Sequence, residues 1–91
     1  MQRRTGSTLE NAIMIATEAH KGQTDKAGKP YILHPLRVMG KMESTSEQIV
    51  AVLHDLLEDT PWTRDDLTGE GFSEDIIQAV DHPEEDLEIK V

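Results

Sequence analysis

From Gln48 to Thr60 the chain reads QIVAVLHDLLEDT, in which Ile49, Val52, Leu53 and Leu56 follow the i, i+3, i+4, i+7 spacing of one apolar helix stripe. His54, Asp55, Glu58 and Asp59 fall on the other side. On one continuous helix these four would share about 140° of surface, with His54 a turn from Glu58 and Asp55 a turn from Asp59. Val50, Ala51, Val52 and Leu53 are apolar all the way round, which predicts a turn buried on both sides. Acids near a helix C-terminus oppose the macrodipole at about 0.3–1 kcal/mol each when exposed, a penalty that a bound cation removes. A solvated polar stripe is the plainer reading of this face; metal chemistry is the sharper one.

The same reading orders the rest of the chain. Ser7 and Glu10 have capping-box spacing for a first helix, whose buried face is Leu9, Ala12, Ile13, Ala16 and Ala19 or His20, ended by Gly22. His20 on or beside that face suits a hydrogen-bonded core histidine better than a ligand. Gly22 to Pro30 reads GQTDKAGKP, a polar loop with Lys21, Lys26 and Lys29 in or beside it, which suits phosphate capture. Tyr31 to His34 reads as a short extended piece. Pro35 suits the first position of a second helix, running to about Met42 with Leu36, Val38 and Met39 on its apolar side. The proline also pushes His34 out of the α region, which aims its side chain at another element.

Ser44 or Thr45 caps the central helix, with Glu47 or Gln48 three residues on, and Pro61 stops it. Thr63 caps a short helical turn, TRDDL, closed by Gly69 and Gly71 and bracketed by Trp62 and Phe72. Ser73 caps a last helix that turns Ile76, Ile77, Ala79 and Val80 inward. From Pro83 the chain reads PEEDLEIKV, an acidic, aperiodic tail. No segment alternates long enough for a strand, so residues 1–91 read as a single all-α domain of about five helices.

Charge changes this picture in one respect. The net charge of −9 argues against nucleic acid as a partner, yet residues 1–41 carry +4 and residues 42–91 carry −13. The first half can therefore face a polyanion, while the second can hold cations or simply keep the chain soluble, the better reading for the scattered acids beyond Asp65. There is no cysteine, no apolar run near the roughly 20 residues of a membrane span and no signal-peptide pattern. The expectation is a soluble cytoplasmic protein with no membrane partner.

Histidines from two helices, an adjacent aspartate and a Glu-Asp pair one turn on are the parts of a metal phosphohydrolase site. With them the chain resembles the HD phosphohydrolase superfamily, and more closely the hydrolase domain of RelA/SpoT-type alarmone enzymes and their small stand-alone relatives. The matching residues are Ala19-His20-Lys21-Gly22-Gln23, Lys26 through Val38, Leu53-His54-Asp55, Glu58-Asp59-Thr60 and Gly71-Phe72 through Ala79-Val80, within about residues 12–81. The resemblance implies an HD-domain-like helical bundle and a divalent metal, manganese above all, held by His34, His54 and Asp55. It implies catalytic carboxylates at Glu58 and Asp59. It implies a substrate of the guanosine 3′,5′-bis(diphosphate) kind that loses its 3′-pyrophosphate, and Lys26 as the basic residue of the nucleotide loop.

Two departures accompany this. Where the long enzymes have an arginine against the guanine, this chain has Asp25. A later helix that supplies a further metal-ligating aspartate and a nucleotide-contacting asparagine has no counterpart after Val80, so the chain reads as lacking the family's last helices. That predicts a weakened metal site, exposed apolar faces on the first and third helices and a homo-oligomer. A catalytically weak or inactive metal- and nucleotide-binding module is the alternative function.

Overall fold

Side-chain hydroxyls set where the helices begin. In the computed structural model, which describes residues 8–82, the segments are α1 (Leu9–Ala19), α2 (Leu33–Gly40), α3 (Thr45–Leu53), α4 (Leu56–Asp59), α5 (Arg64–Gly69) and α6 (Glu74–Asp81). Thr8 caps α1, its hydroxyl accepting from the Asn11 amide at 3.1 Å. The expected cap, Ser7, lies outside the described residues. Ser44 and Thr63 each close a reciprocal capping box, with Glu47 and Asp66 respectively, and Ser73 caps α6. Among the described residues the sole β pairing is an isolated bridge between Thr24 and Pro30 that pinches the polar loop.

Two helices differ from expectation. Tyr31–His34 is not extended: α2 already includes Leu33 and His34, so Pro35 is its third residue, and it ends at Gly40. The first turn of a helix has no partners for its amide hydrogens, so a proline there forfeits no hydrogen bond. The central helix is also interrupted. The Ala51 carbonyl accepts from the His54 amide at 3.4 Å, a tightened i−3 contact, and from His54 Nδ1 at 2.5 Å. Asp55 then leaves helical geometry with φ −97° and ψ 1° before α4 restarts. A side chain that takes a carbonyl from the ladder is a recognised cause of a helix break. His54, Asp55, Glu58 and Asp59 therefore do not lie on one continuous helix.

α3 is the hub, packed against α1, α2 and α6. Ile49, Val50, Ala51, Val52 and Leu53 are all buried, as an all-round apolar turn requires, and Leu56 joins them from α4. Ala12, Ile15 and Ala16 of α1, Leu67, Phe72, and Ile77 and Val80 of α6 complete the main core, with Trp62 half-buried against it. The exposed apolar face expected on the third helix is thus absent. The large exposed hydrophobics among the described residues are Met14 on α1 and Leu33 on α2. Arg64 reaches both ends of α6, to Glu74 at 2.8 Å and Asp81 at 2.7 Å, pairs exposed enough to be worth at most about 1 kcal/mol each.

Candidate metal centre

The break in the central helix builds this site. It leaves His54 at the end of α3 and Asp55 at the head of α4, while the α2–α3 contact brings His34 across from the first turn of α2. Asp55 Oδ2 lies 3.2 Å from His54 Nε2 and 3.6 Å from His34 Nε2, and the two imidazoles meet edge to face with centroids 5.3 Å apart. One donor atom from each residue falls within 4.8 Å of the others. Metal–ligand bonds of about 2 Å to one ion need donor spacings of this order.

The protonation states fit the same use. Because the Ala51 carbonyl only accepts, His54 Nδ1 carries a proton, so Nε2 is the ring nitrogen available to a metal. Burial holds His34 below the ordinary imidazole value and outweighs the opposing pull of Asp55, so its ring is neutral at neutral pH. Two imidazoles and a carboxylate suit manganese, iron or zinc, and a backbone carbonyl behind the distal ring nitrogen is the usual support for such a ligand.

Around this cluster runs a polar network that the hydrophobic pattern did not reveal. The Tyr31 hydroxyl donates to Asp55 Oδ2 at 2.5 Å. The Tyr31 ring lies between His20, centroids 5.1 Å apart, and His34, 5.7 Å apart. Burial first, then the Asp55 carboxylate, push its phenol well above the ordinary value, with Asp59 adding to the effect. Gln23 donates from Nε2 to the Asp59 carbonyl at 3.1 Å, so its Oε1 is the acceptor for His20 Nδ1–H at 3.0 Å. His20 is 1% exposed and is the core histidine expected; its Nε2 is buried without a partner among the described residues.

The GQTDKAGKP loop is organised by Asp25. Its carboxylate accepts from the Ala27 and Lys29 amides, both at 2.9 Å, and its own amide donates to the Lys29 carbonyl at 2.8 Å. The Lys29 amide, more than that of Ala27, holds Asp25 below the ordinary carboxylate range. Gly28, at φ +84°, completes a turn that an L side chain would strain. Lys26 is exposed at the tip. The Asp25 carboxylate thus shapes the loop.

Glu58 and Asp59 are exposed on α4, outside the His34–His54–Asp55 cluster, with Asp59 the one whose backbone is tied down by Gln23. Asp81 is engaged by Arg64 and is not part of the cluster. Sequence reading missed Tyr31 as part of the site. The available signal was a lone tyrosine three residues before a candidate ligand, since a half-buried phenol ordinarily finds a hydrogen-bond partner.

No family model matches the chain. Individual proteins do. It is 43% identical over 63 residues to the bifunctional (p)ppGpp synthase/hydrolase SpoT of Escherichia coli, covering 65% of this chain and 9% of that protein. It is 36% identical over 77 residues to the guanosine-3′,5′-bis(diphosphate) 3′-pyrophosphohydrolase of Vibrio cholerae, covering 80% of this chain and 11% of the other. The chain is a homologue of the RelA/SpoT-type alarmone enzymes. It spans about a tenth of the length of these relatives. Its fold matches a solved metazoan SpoT orthologue described as hydrolysing ppGpp, with a TM-score of 0.69 over 87% of this chain and 48% of that one, at 22% identity. The all-α, HD-like architecture of the RelA/SpoT-type hydrolase domain is therefore the fold of this chain. No helix among its described residues is long and apolar enough to cross a membrane.

Proposed function

We propose that the chain is a metal-dependent phosphohydrolase that releases the 3′-pyrophosphate of a guanosine 3′,5′-bis(diphosphate)-like nucleotide. The observation that carries this reading is the convergence of His34 Nε2 and His54 Nε2 on Asp55 Oδ2, in a chain whose relatives bear that activity in their names. His34, His54 and Asp55 hold one divalent ion, of the manganese type. When bound, such an ion draws phosphate oxygens to itself and makes water easier to deprotonate. The exposed carboxylates of Glu58 and Asp59 take the proton of the attacking water. Water oxygen bonds to phosphorus, the bond to the ribose 3′ oxygen breaks, and that oxygen leaves as a hydroxyl with a proton from solvent or the same carboxylate. The test is incubation with guanosine 3′,5′-bis(diphosphate) and Mn2+, products being separated by anion exchange. Pyrophosphate and guanosine 5′-diphosphate in equal amounts, abolished by chelation, are expected; no metal-dependent product overturns the reading.

Lys26 meets the substrate phosphates from the tip of the Asp25-shaped loop. In a protein of net charge −9, this local positive group offsets a repulsive field. Lys26→Ala is therefore expected to weaken nucleotide binding and flatten its dependence on salt. Equal affinity for both proteins in titrations from low to high salt would leave the loop without that role.

A further inference from the structure

We propose that Tyr31 is a positioning residue for the metal centre: its hydroxyl, donating to Asp55 Oδ2, holds the carboxylate in the orientation that meets both imidazoles. The proposal rests on the metal reading of His34, His54 and Asp55 and adds the group that makes their geometry single-valued. A carboxylate has a broad, nearly two-fold terminal torsion, so Asp55 has little intrinsic preference for which oxygen faces the cluster. The oxygen that approaches His34 and His54 is the same Oδ2 that accepts from Tyr31 at 2.5 Å.

Tyr31 is itself fixed on every side. Its amide donates to the Gln23 carbonyl at 2.9 Å, and its carbonyl accepts from the His34 amide at 2.9 Å, which couples the phenol directly to the helix turn that bears a ligand. Its ring lies between those of His20 and His34. Gln23, which receives His20 Nδ1–H, also holds the Asp59 backbone, so one short network spans the loop, the ligands and the candidate base. A phenol filling space alone would need none of these alignments.

Tyr31→Phe removes the hydroxyl and keeps the ring. Titration with Mn2+ alone, with free ion read by electron paramagnetic resonance, is expected to show binding to the unaltered chain weakened about 10–100-fold in the variant, the usual cost of losing a partner behind a ligand. The variant's far-UV circular dichroism and thermal midpoint serve as the fold control. Because the chain has one tyrosine, 3-fluorotyrosine labelling gives one 19F resonance, which needs no substitution to interpret. That resonance is expected to move when Zn2+ saturates the site. No metal binding by the unaltered chain would sink the metal reading itself. Metal binding with equal affinity in both proteins, or an unmoved 19F signal at saturation, would sink the role of Tyr31 alone.

Discussion

Asp59→Asn and Glu58→Gln are expected to lower turnover while leaving the metal bound, the larger loss, about 10²–10⁴-fold, falling at the residue that takes the proton. The interrupted central helix decides which one that is. On a continuous helix Glu58 and Asp59 would each stand one turn from a candidate ligand and be equivalent. The break at His54 and Asp55 separates α4 from α3, and of the two acids Asp59 is the one tied to the ligand network among the described residues, through Gln23 and its influence on Tyr31. Glu58 is exposed without such an anchor. A base must reach the attacking water reproducibly, because misplacement by about 1 Å can cost a factor of 10². Asp59→Asn is thus expected to cost more than Glu58→Gln when initial rates are compared at saturating metal. Losses below threefold in both variants would remove the pair from the mechanism, and a larger loss at Glu58 would reverse their roles.

The fold was largely legible because its signals are local. Ser44 with Glu47, Thr63 and Ser73 start helices where hydroxyl caps predict, and the all-round apolar run Val50–Leu53 is the centre of the core. The errors arose where a tertiary group overrode a local rule. Periodicity runs smoothly through His54, and only the imidazole's capture of the Ala51 carbonyl interrupts the helix. Proline statistics place Pro35 at a helix start, but α2 begins two residues earlier, where the proline's missing amide hydrogen costs nothing. The cluster of His34, His54 and Asp55 could be named from residue types and the family resemblance. Tyr31 offered only its place three residues before His34, because nothing in a one-dimensional pattern aims a phenol at a carboxylate twenty-four positions away. Asp25 is a similar case: as a letter it reads only as a departure from the resembled family, and in the structure it is the residue that folds the loop.

His54→Ala is expected to abolish stoichiometric binding of Mn2+ at neutral pH without unfolding the chain. Its Nε2 is the donor nearest Asp55 Oδ2, and its side chain is the least exposed of the three that meet there. Removing it leaves one imidazole and one carboxylate, a pair too few to fix an ion against water, since even open catalytic sites generally retain three protein ligands. The loss should therefore exceed the about 10–100-fold expected for Tyr31→Phe, where all three ligands remain. The backbone has an alternative to fall back on. Alanine has the highest helix propensity, and without the imidazole the Ala51 carbonyl is available to the next turn, so the break at Asp55 can close. Helix content by far-UV circular dichroism should accordingly stay level or rise slightly while the metal is lost. Equilibrium dialysis followed by metal analysis, run beside the circular dichroism, reads both quantities on one sample. Full metal stoichiometry in His54→Ala would show that the ion sits elsewhere, and a collapse of helix content would show that the imidazole's contact with Ala51 holds the fold rather than the metal.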